Sequence, residues 1–207
     1  MQSLTCGSVG HRLFSMAVLA LAVASGPVLA QKADRPAVKA GDQWRFEVRL
    51  GQGASAMKSQ DVTRVITSVT PTAIERTDNG RKVVLTPDLN AIDTPYVKHS
   101  NLRLLSFPLE LGKQWSFTDD YLDKIFGLEG HSSWGVAVVG YEKVRVPAGQ
   151  FDAFKLEAKG NWAVASTTGT DTWTYWYAPA ARAVVKSEVQ NTSGFTTTEL
   201  AEVQLQP

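Results

Sequence analysis

The sequence predicts an all-β domain, a strongly curved antiparallel sheet or incomplete β-barrel of about ten strands with at most one short helix. Three observations predict it. Apolar and polar residues alternate with period two over several runs, the mark of strands with one dry and one wet face. The runs are joined by turns of hairpin length, such as Asp78-Asn79-Gly80 and Pro147-Ala148-Gly149. A helical apolar period occurs in one short stretch alone.

The first thirty residues read as a removable export signal. Arg12 is their one charge, Phe14 to Ser25 form a small-to-apolar run, and Val28-Leu29-Ala30 supplies the small residues a signal peptidase reads before Gln31. The run is too short and too alanine-rich for a permanent membrane span. Cys6 precedes the run and Gln31 follows the cut, so the chain is not expected to be a lipoprotein. The predicted organisation is a signal peptide at 1–30 and a single exported β domain at 31–207. The mature chain is expected to be soluble, periplasmic or secreted, with no transmembrane segment.

After a polar lead containing Pro36, Gly41 releases the cleanest strand. Trp44, Phe46, Val48 and Leu50 alternate with Gln43, Arg45, Glu47 and Arg49, and Gly51-Gln52-Gly53 ends the run. Val62 to Val69, rich in Val, Ile and Thr, is a second strand that stops before Pro71. Ala73 to Thr77 and Lys82 to Thr86 flank Asn79-Gly80, the signature of a type I′ hairpin. Pro87 to Arg103 shows no sustained period and reads as a long connection. Order returns at Leu104 to Phe107. Gly112-Lys113-Gln114-Trp115-Ser116-Phe117 then repeats the Gly-x-Gln-Trp-x-Phe pattern of Gly41 to Phe46, one local solution used twice.

Asp119 to Gly130 carries the predicted helix. Leu122, Ile125 and Phe126 fall at i, i+3 and i+4, with Asp119 as cap and Gly127 as stop. Ser133 to Arg145 is a long strand whose Val-rich first half reads as buried on both faces. A hairpin follows around Pro147 and Gly149 and runs on to Trp162. Ser166 to Thr170 is a loop, and Thr172 to Ala178 is a strand ended by Pro179. Ala183 to Gln190 and Phe195 to Leu205 form the last hairpin, across Asn191-Thr192-Ser193-Gly194.

Composition narrows the function classes. Removing thirty of 207 residues leaves 177, enough to bury roughly 70% of the unfolded chain's surface in one core. Cys6 is the one cysteine and leaves with the signal, so the mature domain has no disulfide and no thiol chemistry. The signal removes one of 21 basic residues and none of 20 acidic ones, leaving 20 of each. A net charge of zero argues against nucleic acid or anionic lipid as the main partner.

The mature chain has two histidines, His99 and His131, neither with a second His or Cys at metal-ligand spacing. No metal and no cofactor are expected. Asp119, Asp120, Asp123 and Glu129 resemble a calcium loop, but Lys124 replaces the turn glycine and Gly130 the terminal acid, so they read as a solvated helix start. His131-Ser132-Ser133 sets a base beside hydroxyls, yet sequence neighbours do not orient one another as base and nucleophile. There is no Gly-x-Ser-x-Gly elbow, and Gln114 follows Gly112-Lys113 where a phosphate loop needs Ser or Thr. Glu110, Asp120, Glu142 and Glu157 offer carboxylates for a glycosidase-type pair without indicating which would meet. No catalytic residue is assigned, and the chain is not expected to be an enzyme.

The aromatics carry the one positive hint. Trp173, Tyr175 and Tyr177 share a strand face, with Trp176 on the other. Packing accounts for many such residues. The sharper reading has Trp134, Trp162 and Trp176 lining a concave apolar surface that takes an acyl chain, a glycan or an extended peptide.

Residues 134–188 resemble a family of uncharacterised bacterial exported proteins known as a domain of unknown function. The likeness is carried by Val146-Pro147-Ala148-Gly149-Gln150-Phe151-Asp152-Ala153-Phe154, by Trp173-Thr174-Tyr175-Trp176-Tyr177-Ala178-Pro179 and by Val184-Val185-Lys186. It implies a periplasmic antiparallel β domain with no established activity, similar at fold level to half-barrel lipoprotein carriers. The expected function is a non-catalytic module that binds an apolar ligand, a lipid or glycan, or an envelope protein in the concavity of its sheet. A cell-envelope hydrolase acting on glycan or ester bonds is the alternative.

Overall fold

Alternation sets the pleat, and the pleat sets the fold. The computed structural model describes residues 31–51, 58–191 and 194–207. The expected signal peptide, Gln52-Gly53 and Thr192-Ser193 lie outside the described residues. Fourteen strands follow in order among them: β1 (Lys32–Ala33), β2 (Gln43–Gly51), β3 (Lys58–Val69), β4 (Ile74–Asp78), β5 (Arg81–Leu85), β6 (Ala91–Asp93), β7 (Val97–His99), β8 (Leu109–Glu110), β9 (Gln114–Asp123), β10 (Leu128–Val146), β11 (Gly149–Val164), β12 (Thr167–Ala178), β13 (Ala183–Asn191) and β14 (Gly194–Gln204). Among the described residues one 3-10 turn spans Pro179–Ala181.

The domain is all-β, and its sheet closes completely. Twelve of the described strands form an antiparallel barrel in the order β10-β11-β12-β13-β14-β2-β3-β4-β5-β6-β7-β9, and β9 returns to β10. The remaining two, β1 and β8, pair with each other. Closure removes the open edges that a curved sheet would leave. It is completed by β6 and β7, three residues each, inside the stretch 87–103 that reads in sequence as a connection. Strands that short carry too few residues to show a period.

Three expectations are corrected. Residues 166–170 are not a loop: a turn at Ala165–Ser166 leads directly into β12, which begins at Thr167. Residues 119–130 are not a helix: they end β9 and begin β10, joined by a turn at Lys124–Gly127. Phe117, Asp119 and Tyr121 oppose Trp134, Ser132 and Gly130 across the ladder. The inward row therefore includes polar residues, which hides its period of two. Ile125 and Phe126, which suggested a helical face, are exposed at the turn tip. The first half of β10 is not buried on both faces either. Val136 and Val138 are buried while Val139 is exposed at a bulge between Val138 and Gly140.

The turns follow their residues. Asn79 and Gly80 take φ of 48° and 80°, as a type I′ hairpin requires. Val146 pairs with Gly149 across Pro147-Ala148, and Gly149 adopts φ 129°, a value that disfavours any side chain. One apolar cluster gathers Trp44, Phe46, Ile66, Leu85 and Leu200; the other gathers Phe117, Trp134, Val138, Phe154 and Tyr177. Asn90 holds the irregular segment between β7 and β8 in place. Its amide donates to the Leu105 carbonyl and accepts from the Leu105 N–H, both at 2.8 Å.

Candidate functional site

Opposed residues in an antiparallel ladder point to the same face. Trp44 of β2, Arg64 of β3 and Asp78 of β4 therefore form one inward row. Ile66 and Arg76 stand opposite each other in the row beside it. On the far wall Tyr175 of β12 faces Ser187 of β13, which faces Thr198 of β14. Leu102, Leu104 and Leu105 meet these rows, and together they bound a chamber of about 260 Å³.

Its charges are unevenly matched. Arg76 Nη2 donates to Asp78 Oδ2 at 3.1 Å, while its Nε, 2.8 Å from Oδ1, is ion-paired with the carboxylate without a hydrogen bond. Arg64 Nε lies 3.5 Å from the same carboxylate and has no hydrogen-bond acceptor. Its guanidinium sits over the Phe46 ring at 4.6 Å. Burial, reinforced by the neighbouring Arg76 charge and opposed by Asp78, pulls the Arg64 pKa down to about 10. Arg182, also on the chamber wall, is committed to the buried Asp42 at 3.1 Å.

A second chamber, about 330 Å³, is walled by Trp134, Trp162 and Trp173, with Tyr121, His99, Asp119, Asp123 and Asp171. Leu102 lines both chambers. Asp119 is fully buried, accepting from His99 Nδ1 at 2.6 Å and from the N–H groups of Ser100 and Asn101 at 3.0 and 2.8 Å. Burial pushes its carboxyl up, but the His99 hydrogen bond, the Asn101 N–H, the His99 charge and the Ser100 N–H outweigh burial and hold it below the usual carboxylate value. Trp173 Nε1 is buried without an acceptor.

The structure brings two of the three sequence-assigned tryptophans together. Trp134 donates to Ser132 Oγ at 3.0 Å and lies 4.4 Å from Trp173 between ring centroids; Trp162 donates to Asp171 Oδ1 at 3.0 Å. Both line the second chamber. Trp176 does not join them. Register places it between Lys155 and Lys186, whose ammonium groups lie 5.7 and 5.1 Å from its ring, and its Nε1 donates to Glu142 at 2.7 Å. Adjacent residues on a strand face opposite ways, and Tyr175 has the inward position.

The alternation that separates Trp176 also separates His131 from Ser132. Ser132 is buried under Trp134, whereas His131 is exposed and pairs with the exposed Asp120 at 2.6 Å. Glu110, Asp120, Glu142 and Glu157 are all exposed. Asp123 serves its turn, accepting from the Ile125 and Phe126 N–H groups at 2.8 and 3.1 Å. Sequence reading missed Arg64, Arg76 and the inward pairing of His99 with Asp119. The signal available was the alternation itself: Arg64 is in step with Val62 and Ile66, a charge on an otherwise apolar face.

No family model matches the chain, and no curated protein matches it. Solved structures do share its fold. An exported protein of Bacteroides fragilis described as having a YmcC-like fold aligns with TM-score 0.54 at 17% identity, covering 83% of this chain and 99% of its own. A lipoprotein so described from Parabacteroides distasonis aligns with TM-score 0.54 at 13% identity and the same coverages. The hypothetical lipoprotein YmcC of Escherichia coli aligns with TM-score 0.51 at 11% identity, covering 81% of this chain and 90% of its own. The likeness shows the fold, and that fold occurs in exported proteins. It says nothing of the Pro-Ala-Gly and Trp-Tyr motifs. The expectation that the chain is not a lipoprotein is corrected by these neighbours, two of which are described as lipoproteins. That expectation rested on the place of Cys6, outside the described residues, and on Gln31 rather than Cys at the expected cut. No helix among the described residues is long and apolar enough to cross a membrane.

Proposed function

We propose that the protein is a non-catalytic exported barrel that holds an apolar or amphipathic small molecule in its interior. The observation that carries this reading is the leucine-walled chamber of about 260 Å³. Its volume falls just under the usual range for small-molecule sites, and its walls combine apolar surface with a few placed polar groups, as such sites do. The aromatic chamber lies across Leu102, which lines both. Two neighbours described as lipoproteins support a role beside a membrane, where acyl chains are the abundant apolar ligands.

Ala91 is half-buried on the chamber wall. Filling the space with Ala91→Phe is expected to abolish binding of an uncharged naphthylamine dye while leaving the circular dichroism of the barrel unchanged. Wild-type protein is expected to release a bound lipid on organic extraction, detected by mass spectrometry. A wild-type barrel that binds no dye and releases no lipid would refute the reading.

A further inference from the structure

We propose that Arg64, with Arg76 beside it, is the recognition point for a carboxylate head group on a single-chain ligand in the leucine-walled chamber. The proposal rests on the barrel-binding reading above and adds the ligand's charge. Three guanidiniums lie on the chamber wall, Arg64, Arg76 and Arg182, and their acidic partners are Asp78 and Asp42. Arg76 and Arg182 take one carboxylate each at 2.8 and 3.1 Å. Arg64 is the surplus cation, 3.5 Å from a carboxylate already engaged.

A half-buried charge that shares its one carboxylate with a second guanidinium is incompletely compensated, and a bound anion supplies the missing charge. Its Cζ lies 4.6 Å over the Phe46 ring and its Nε N–H is without a hydrogen-bond partner, so guanidinium N–H groups remain for a ligand. Those groups form the fork that matches a carboxylate bidentately. The surplus is a single positive charge, so a monoanion balances it and a dianionic phosphate overshoots. Leu85, Leu89, Leu102, Leu104 and Leu105 supply the apolar wall for one chain.

Calorimetric titrations of the purified protein at pH 8 with decanoate, decanol and decyltrimethylammonium test the inference. Decanoate is expected to bind about tenfold or more tightly than decanol, the worth of a hydrogen bond to a charged group. Arg64→Met is expected to erase that preference, bringing the decanoate and decanol affinities of the variant together. Decyltrimethylammonium is the control that needs no variant, and it is expected to bind more weakly than decanol. Equal binding of decanoate and decanol, or a preference that survives Arg64→Met, overturns the carboxylate assignment and leaves barrel binding standing. Binding of none of the three overturns both.

Discussion

At the residue scale, two His–Asp pairs of equal length separate geometry from energy. His99–Asp119 and His131–Asp120 both span 2.6 Å. Asp119 is 1% exposed and also satisfies two backbone N–H groups, whereas Asp120 is 79% exposed. Removing a buried partner leaves its donors without an acceptor in a medium that water does not reach. Asp119→Ala is therefore expected to cost about 3 kcal/mol, and Asp120→Ala under about 0.5 kcal/mol, read from urea midpoints. The pH sense follows from the depressed Asp119 carboxyl. As pH falls below about 4 the unfolded chain takes up that proton first, so this stabilising contribution, full above that pH, is lost as pH drops further. The wild-type midpoint is expected to fall more steeply than that of Asp119→Asn below about pH 4. Parallel curves would show that the pair does not stabilise the fold.

At the scale of strands and hairpins, inward aromatics lie flat over glycines on the facing strand. Trp134 is opposed by Gly160, Trp162 by Gly169 and Tyr121 by Gly130, and on the outer face Phe195 is opposed by Gly51 in the same way. A Cβ at Gly160 would meet the Trp134 ring at 2.3 Å, whereas one at Gly135 meets nothing within 4 Å. The glycines make room for rings to cover the wall, a known device for filling sheets. Gly160→Ala is expected to destabilise by about 2 kcal/mol and shift Trp fluorescence. Gly135→Ala is expected to stay within about 0.5 kcal/mol. Equal effects would mean that Trp134 does not rest on Gly160. This level also shows what was legible. The strand β2 and the β10–β11 turn were readable because Trp44, Phe46 and Val48 alternate cleanly and Pro147-Gly149 permits little else. The β9–β10 hairpin was not, because Asp119 and Ser132 occupy inward positions and Leu122, Ile125 and Phe126 cluster at helical spacing. Trp134 and Trp162 line one chamber, whereas Trp176 falls on the other face because successive side chains along a strand alternate between faces.

For the whole molecule, closure is what turns strand faces into chambers, and closure is a property that no single segment displays. Arg64 and Arg76 become neighbours only when β3 and β4 pair, and Leu102 reaches them only when the barrel is complete. The interior also holds Tyr177, fully buried, and Tyr175, half-buried, whose ionisation desolvation pushes well above the ordinary value near 10, with the Asp171 charge assisting at Tyr175. A tyrosine raised in the folded state stabilises fully below the unfolded value and loses that contribution as pH rises past about 10. Arg64 acts in the opposite sense. Its folded pKa of about 10 lies below the ordinary 12.5, so the unfolded chain holds that proton longer and stability gains between the two values. Two tyrosines against one arginine leave a net loss, so the barrel is expected to open cooperatively above about pH 10. Absorbance at the tyrosinate band and far-ultraviolet circular dichroism should then change together, and Tyr177→Phe should move the transition to higher pH. Tyrosinate appearing near pH 10 for Tyr175 and Tyr177 with the dichroism unchanged would mean that water reaches the barrel interior without unfolding it.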